Sequence, residues 1–259
     1  NGGWEGAGRV GKDAGAGSDP IGNAIYVVDP SDGRLIWRAL GPAGGADPVL
    51  SEQLHFVPTL TDSIPSPLTV IDSDRNGVDD RAYVGDSGGK VWRIDFTEQG
   101  RPAPDAPTPA ARNWYLTLLA DLGGSGASDR RFFHAPDVVQ SRDSAGDYDG
   151  VLLLAGNREA PGDVDVRNFA YLLKDRRAAG VGTEPLPVPV SAIAQERLAD
   201  ITGDCQIAAT TGCSGADLAS GWKLELTSPG EKGLSTPLVT NGRVLFTTYV
   251  PPAGEDAAQ

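Results

Sequence analysis

Short apolar runs, each followed by a group of Gly, Pro, Asn, Asp or Ser residues, dominate the pattern of the chain. The first clear unit is Ile25–Asp29, then the tetrapeptide 30–33, then Arg34–Arg38. Two runs rich in β-branched and aromatic residues around a turn predict a β-hairpin. A related unit spans Ala82–Ile94, and its Tyr-Val-x-Asp segment lies 57 positions after that of the first unit. This recurrence of strand, turn and strand indicates the blades of a β-propeller.

Further runs have the length and residue types of strands, and Asn241-Gly242 between the last two is a strong hairpin signal. We count about a dozen strands, or about three four-stranded blades, whereas a closed propeller typically has four to eight. The pattern therefore predicts a partial propeller or strands that the count misses. The remaining predicted strands are Pro67–Ile71, Trp114–Leu119, Phe132–Val139, Val151–Leu154, Phe169–Leu173, Gly221–Leu226, Thr236–Thr240 and Arg243–Tyr249. Ser191–Leu198 is predicted as a short helix, and 1–22 and 100–111 as loop and connector.

Length and composition favour an all-β class, a modified β-propeller with long loops, as one domain over 1–259. Gly 34 and Pro 20 punctuate the chain, and no apolar stretch approaches the roughly 18 residues of a transmembrane helix. The net charge of -13 argues against a nucleic-acid partner and favours divalent cations. The sequence contains no Met and opens without a signal peptide, which predicts an interior part of a longer protein.

Cys205 and Cys213 lie eight positions apart in a polar segment. A local disulfide is expected rather than a zinc site, since two thiolates without a nearby His or further Cys do not complete a tetrahedron. Such a disulfide would indicate an exported protein.

The stretch 72–80 places oxygen-bearing side chains at its first, third, fifth and ninth positions. Hard cations such as calcium take six to eight oxygen ligands, and a Gly at position six allows the sharp turn of an EF-hand-like loop. Position twelve is Tyr83, so the bidentate Glu of an EF-hand is missing, and weak to intermediate affinity is expected. The alternative is a turn rich in Asp and Asn that binds no metal. The predicted calcium ligands are Asp72, Asp74, Asn76 and Asp80 through side chains and Val78 through its carbonyl.

Other segments are weaker candidates for chemistry. Asp143–Asp149 resembles a degenerate ion loop, and we treat it as an acidic turn, with a second calcium site as the alternative. Gly85–Gly89 matches the nucleophile motif of trypsin-like proteases, but the histidine context is missing and the segment coincides with the predicted turn, so no catalytic residue is assigned. His55 and His134 each lie in a short apolar context with no second His or Cys within four residues, and they are predicted to be satisfied structural histidines.

Val27, Asp29, Gly33 and Trp37 nearly match the tryptophan-docking motif of quinoprotein propellers, in which the Trp packs between blades. One copy supports a propeller blade and does not indicate a quinone cofactor. The alternative function from a different class is a quinoprotein-like oxidoreductase. The tryptophan-docking motif is not repeated along the chain, and this argues against an enzyme of that kind.

The combination of these segments resembles the C-terminal propeller domain of PilY-type proteins, the tip-associated adhesins and assembly factors of bacterial type IV pili. The resemblance is carried mainly by Val70–Phe96, in which Asp-x-Asp-x-Asn-x-x-x-Asp precedes Tyr-Val-Gly-Asp and Val-Trp-Arg-Ile-Asp. It is supported by Gly22–Trp37, Arg131–Val139, Gly146–Glu159 and Gly221–Tyr249.

The resemblance implies a calcium-binding, non-enzymatic domain of a larger exported protein at the pilus tip or cell surface, associated with the bacterial outer membrane. It implies that the ligands are Asp72, Asp74, Asn76, Val78 and Asp80, and that calcium is linked to pilus extension against retraction, and so to twitching motility. Implied partners are type IV pilus components such as minor pilins, and surface or host targets bound in cell adhesion. The Arg-Gly-Asp tripeptide of some relatives is absent. A passive scaffold in which calcium only fastens a loop is the third interpretation.

Overall fold

The computed structural model describes residue 19 and the ranges 21–42, 54–96, 114–176, 191–203 and 217–252. Within these ranges the protein is almost entirely β, with seventeen strands and short 3-10 helices such as Gly126–Ser128 and Gln195–Arg197. The strands are β1 (Ala24–Val28), β2 (Leu35–Leu40), β3 (Leu54–Phe56), β4 (Thr69–Ile71), β5 (Arg81–Gly85), β6 (Lys90–Asp95), β7 (Tyr115–Asp121), β8 (Asp137–Asp143), β9 (Gly146–Leu154), β10 (Phe169–Asp175), β11 (Ile193–Ala194), β12 (Ala199–Asp200), β13 (Gly221–Glu225), β14 (Lys232–Gly233), β15 (Leu238–Thr240), β16 (Arg243–Leu245) and β17 (Thr248–Tyr249).

Three open sheets form the body of the described structure, and this arrangement confirms the predicted all-β, propeller-type class. The first sheet has the order β1-β2-β3, the second β11-β7-β6-β5-β4 and the third β12-β13-β10-β9-β8. Two small sheets, β14-β17 and β15-β16, follow near the C-terminal end of the described chain. Neighbouring strands along the chain pair in an antiparallel manner in most cases, as expected when short turns connect them.

The two predicted repeats are confirmed as hairpins. In the first, β1 pairs with β2, and the Asp29 amide donates to the Arg34 carbonyl at 2.8 Å to close the turn. Gly33 has a φ of 75°, a conformation that Gly adopts without the steric cost of a side chain. In the second, β5 pairs with β6 across the turn 86–89.

Apolar side chains between the sheets form two clusters. Trp37, 1 % exposed, packs with residues of β5, β6 and β7, so it lies between the first and second sheets as the docking motif predicted. The other cluster joins the second and third sheets and includes Tyr83, Val91, Phe132, Val151 and Tyr171. The sheets therefore stack face to face, and each interface excludes water from large apolar side chains.

The strand β9 is buried on both faces, as its continuous apolar run predicted. Val151 and Leu153 face the second sheet. On the opposite side, Gly233 of β14 approaches Leu154 so closely that a Cβ at Gly233 would lie 2.3 Å from the Leu154 Cβ. The C-terminal strands thus cover a face that would otherwise be exposed.

Three predictions about elements were wrong or incomplete. Residues 132–136 are not strand, because β8 begins only at Asp137, after Pro136, whose ring nitrogen has no hydrogen to donate to a ladder. Ser191–Leu198 is not a helix: Ile193–Ala194 pairs in parallel with β7 and a single 3-10 turn follows. The last hairpin, β15-β16, is confirmed, but Thr248–Tyr249 pairs with β14 instead.

The count of about a dozen strands was too low because β3, β11, β12, β14 and β17 are only two or three residues long. In the described part of the chain, no helix is long and apolar enough to cross a bilayer. Cys205, Cys213 and the connector 100–111 lie outside the described residues.

Candidate metal-binding loop and the interface beneath it

The predicted ion loop connects β4 to β5, at the outer edge of the second sheet. Its ends are closed by two backbone hydrogen bonds: the Asp80 amide donates to the Ile71 carbonyl at 3.1 Å, and the Phe96 amide donates to the Asp80 carbonyl at 2.7 Å. The loop is therefore an excursion from a paired hairpin, and the ladder on both sides holds its first and last residues in place.

Side-chain oxygens organise the interior of the loop. The Asp72 carboxylate accepts the amides of Asn76 at 3.1 Å and Gly77 at 2.7 Å, and Asp74 accepts the same Asn76 amide at 3.0 Å. The Asn76 side-chain oxygen in turn accepts the Val78 amide at 2.8 Å. Asp72 and Asp74 share one donor, so their carboxylates lie close together. Such local contacts are typical of Asp and Asn in turns.

Gly77 occupies the predicted sharp turn, with a φ of 87° and no heavy atom within 4 Å of where a Cβ would stand. Backbone conformation, and not lack of space, is therefore what requires Gly at this position. Arg75 also has a positive φ, of 62°, so two residues of this short loop adopt the left-handed region. The tight path lets the side chains at the first, third and fifth positions face one another.

Asp80 closes the loop from the other end. It is 4 % exposed, and its two carboxylate oxygens accept the Ser73 amide at 2.7 Å and the Ser73 hydroxyl at 2.9 Å. Burial raises the pKa of Asp80, the contacts with Ser73 and the charge of Arg81 oppose this, and the charge of Asp74 adds to it. A buried carboxylate beside another carboxylate is stabilised by any cation that can share the site.

The pKa of Asp72 is lowered. Burial acts in the opposite direction, but hydrogen bonds from the amides of Gly77, Asn76 and Arg75 to the carboxylate outweigh it. Counting residues 72–80, four Asp and one Arg leave a formal charge of -3 in nine residues. The loop therefore combines ionised oxygen donors with a strong negative potential.

The donor set suits a hard cation, since every candidate ligand is an oxygen of a carboxylate, an amide or a backbone carbonyl. The carboxylates do not, however, converge on one point in the conformation described. Across the described ranges, no group of three or more His, Cys, Asp or Glu side chains is placed to hold a metal ion. Asp72 and Asp74 are adjacent, while Asp80 is turned toward Ser73. The chemistry of the loop fits calcium, and the assignment of the five predicted ligands stays a prediction.

The third sheet contacts the loop from the side. Gln140 of β8 donates its side-chain amide to the carbonyls of Asp72 at 2.9 Å and Ser73 at 3.0 Å. Its side-chain oxygen accepts Nε of Arg75 at 2.9 Å. Next to the loop, the Thr69 hydroxyl donates to the Pro136 carbonyl. The loop thus lies where the edges of the second and third sheets meet.

Directly after Asp80 the chain enters a buried ionic cluster, which joins the same two sheets. Its members, all at most 3 % exposed, are Arg81, Tyr83, Arg93, Asp95, Asp149 and Asp175. Arg81 donates to Asp95 at 3.0 Å and to Asp149 at 2.7 Å. Arg93 pairs with Asp95 at 2.6 Å and with Asp175 at 2.9 Å. The cluster therefore connects β5 and β6 to β9 and β10 through charges sealed from water.

The Tyr83 hydroxyl lies between two of these carboxylates, 2.9 Å from Asp149 and 3.0 Å from Asp175. Burial, and then the charge of Asp175, raises the pKa of Tyr83 well above its ordinary value, so it stays a neutral donor. Three carboxylates face two guanidinium groups, which leaves one negative charge in excess. Sequence analysis missed this cluster, although Arg and Asp inside the apolar strands β5 and β6 were a visible signal.

The acidic residues of the weaker candidate site are separated from one another. Asp143 pairs with Lys174 and Arg176, Asp147 with Arg142, and Asp149 with Arg81 in the buried cluster. Hydrogen bonds from Arg176 and Lys174 hold the pKa of Asp143 far below its usual range. The structure gives these carboxylates separate cationic partners, so it does not assemble them into one ion site.

The protease-like segment is a buried turn, as expected. Ser87 is 5 % exposed, and its hydroxyl lies 3.5 Å from the Asp19 carboxylate. Asp86 is fully buried and accepts the amides of Gly88 and Lys90 and the indole N–H of Trp92. The segment therefore serves to fix the turn between β5 and β6.

The two histidines differ in their surroundings. His55 stacks on Trp37, with ring centroids 6.3 Å apart, and burial lowers its pKa. The packing supports a structural role for it. Nε2 of His134 is buried without a hydrogen-bond partner among the described residues, so the prediction that it is a satisfied structural histidine is not supported.

The described chain is a multi-sheet, propeller-type β-protein with an acidic, oxygen-rich loop at the edge of one sheet. No family model and no curated protein matches the sequence. Among solved structures, it is similar to the crystal structure of the Pseudomonas aeruginosa PilY1 C-terminal domain, with a TM-score of 0.55 and 18% sequence identity. The match covers 88% of this chain and 50% of that chain, so this chain spans half the length of the solved domain. The similarity confirms the PilY-type fold that the sequence resemblance predicted.

Proposed function

We propose that this chain acts as a calcium-binding, PilY-type domain in type IV pilus biogenesis, and that calcium binding is a structural switch linked to pilus extension versus retraction. The observation that carries the proposal is the oxygen-donor loop 72–80, placed at the junction of two sheets in a fold similar to the PilY1 C-terminal domain. Partners would be pilus components, and the site of action the pilus tip or cell surface.

The side chains of Asp72, Asp74, Asn76 and Asp80 and the carbonyl of Val78 would hold the ion. When bound, calcium would supply positive charge and shared ligation to a loop whose own formal charge is -3. Burial raises the pKa of Asp80, and repulsion by the Asp74 carboxylate adds to that effect. Neutralising that repulsion favours the ordered loop and the seating of β5, which begins at the next residue. The role we infer is non-catalytic.

Calorimetric titration of calcium tests the site. We expect a dissociation constant on the order of micromolar to submillimolar for the wild type, as in loops with fewer charged ligands than an EF-hand. Asp72→Ala and Asp80→Ala should each weaken binding at least about tenfold, since each removes a carboxylate ligand.

Asp79→Asn is the matched control. Asp79 lies in the same loop and is exposed, but it occupies position eight, which supplies no ligand. The Asp79→Asn substitution removes the same unit of charge as each alanine substitution. The calcium dissociation constant of this variant should stay within about threefold of the wild-type value, the loss expected of a nearby exposed charge. Unchanged binding in both alanine variants, or equal losses in all three, would refute the assignment of ligands.

Pilus assays separate a switch from a scaffold. In cells producing the full-length protein, Asp72→Ala should change the balance of extended and retracted pili, while Asp79→Asn should not. If Asp72→Ala loses calcium binding but pilus numbers are normal, the switch is refuted, and calcium serves only to hold the loop in place within a passive scaffold.

A further inference from the structure

Gln140 lies outside the loop and makes three side-chain hydrogen bonds to it. It lies on β8 of the third sheet, 65 to 68 positions along the chain from its partners. Its side chain meets three groups within the first four residues of the loop: the carbonyls of Asp72 and Ser73 and the guanidinium of Arg75. Nothing in the spacing of residues 72–80 predicts it.

The chemistry of the partners fixes the orientation of the Gln140 amide. Backbone carbonyls only accept and a guanidinium only donates, so the NH₂ group must face Asp72 and Ser73 and the oxygen must face Arg75. A carboxylate at position 140 could satisfy Arg75 but not the two carbonyls, and an apolar side chain could satisfy none of them. The three contacts together are therefore specific to an amide of this length.

The position of Gln140 in its own sheet also matters. In the ladder between β8 and β9 it pairs with Asp149, the carboxylate that binds Arg81 at 2.7 Å. Gln140 and Asp149 are thus cross-strand neighbours in the third sheet. Gln140 binds the first residues of the loop, and Asp149 binds Arg81, the residue that directly follows the loop. The loop is fixed at both ends to the neighbouring sheet and not only to its own hairpin.

We propose that Gln140 is a positioning residue for the ion loop: its amide orders the Asp72–Arg75 backbone so that the carboxylates of Asp72 and Asp74 face the same side. This inference rests on the proposed calcium function for its effect on affinity. Its effect on loop order does not depend on calcium. Residues that orient metal ligands commonly change affinity by about 10–100-fold when they are lost.

The test compares Gln140→Leu with the matched control Ser141→Ala. Ser141 is the next residue of β8, so its side chain points to the opposite face of the sheet, and it is exposed. Hydrogen exchange of amides 73–78 is measured with chelator present, and calcium affinity by calorimetry. In Gln140→Leu we expect exchange about tenfold faster, from the loss of hydrogen bonds that anchor the loop, and a dissociation constant about tenfold higher. Ser141→Ala should change neither.

Gln140→Asn gives a second test in a milder variant, because it keeps the amide but shortens it by one methylene and withdraws it from the carbonyls. It should shift exchange in the same direction. Unchanged exchange in both Gln140 variants overturns the proposal, as does faster exchange with unchanged calcium affinity. A wild type that binds no calcium refutes the proposed function instead, and faster exchange in Gln140→Leu then still supports the anchoring of the loop.

Discussion

Replacing Arg81 with Met tests the buried ionic cluster that joins the second and third sheets. Arg81 is fully buried and pairs with Asp95 and Asp149. Its pKa is raised: burial opposes the charged form, but the neighbouring Tyr83, Asp95, Asp149 and Asp175 favour it more strongly. The substitution keeps the unbranched apolar stem of the side chain and removes the charge, the donors and the volume of the end of the guanidinium group.

The balance of charges determines the size of the effect. The wild-type cluster has three carboxylates and two guanidinium groups, and Arg81→Met leaves three carboxylates with one. Asp149 then loses its guanidinium partner, and the donor that remains to it among the described residues is the Tyr83 hydroxyl at 2.9 Å. Breaking a buried pair on one side costs about 3–5 kcal/mol. That is a large part of the roughly 5–15 kcal/mol by which domains are stable.

Asp149→Asn is the informative comparison. It leaves two carboxylates and two guanidinium groups, a neutral cluster, and keeps one acceptor oxygen at position 149. We expect a smaller loss, about 1–3 kcal/mol, from the weakened charge-assisted hydrogen bond. Arg142→Met is the surface control, because Arg142 is 75 % exposed in its pair with Asp147 and such pairs contribute about 1 kcal/mol or less.

Urea unfolding followed by tryptophan fluorescence measures all three variants. The transition midpoint should fall most for Arg81→Met, then for Asp149→Asn, and least for Arg142→Met, with similar slopes. A loss below about 1 kcal/mol for Arg81→Met would contradict the role we give to the cluster. A larger loss for Asp149→Asn than for Arg81→Met would refute the argument from excess negative charge.

Two further predictions concern pH and packing. Burial, and then the charge of Asp62, raises the pKa of Asp86 from 3.8 to about 7. The folded state therefore holds the Asp86 proton more tightly than the unfolded state does. Protonation of Asp86 stabilises the fold fully below the unfolded pKa, and this contribution is lost as the pH rises through about 7. Carboxyl NMR of Asp86 together with urea unfolding between pH 5 and pH 8, covering most of this window, should show both changes, and a normal Asp86 titration would contradict the first. Trp37→Ala should cost about 3–5 kcal/mol, as buried aromatic truncations do, and a thermal midpoint equal to that of the wild type would show that Trp37 does not hold the first sheet to the second.

Elements held by nearby residues could be predicted from the sequence. The turns at 30–33 and 241–242 have the Gly and Asn that positive φ angles favour, and both hairpins formed. The loop 72–80 is organised by its own Asp and Asn side chains, so its internal contacts were also expected. Calcium binding by this loop requires its oxygen ligands to converge on one ion, and such binding stays a prediction.

Elements that depend on contacts with residues distant in the sequence could not be predicted from the sequence. Ser191–Leu198 has a helical pattern, but the free edge of β7 captures Ile193–Ala194 as a parallel strand. Residues 132–136 look like a strand, yet Phe132 is held by a hydrogen bond from its amide to the Asp86 carbonyl and by burial against the third sheet. In both cases a tertiary contact outweighs a local preference of modest size.

By itself, the sequence determined the all-β class, the repeated hairpins and the position of an oxygen-rich loop, since each depends on residues within a few positions of one another. Only the tertiary structure decided what the loop rests on. Gln140 reaches it from 65 to 68 positions away, and Tyr83 meets Asp149 and Asp175 from 66 and 92 positions away. Such contacts depend on how the second and third sheets stack. Burial of apolar side chains between the two sheets drives the stacking, and the stacking brings these polar and charged side chains together. The spacing of residues within one short segment does not encode the packing of one sheet on another.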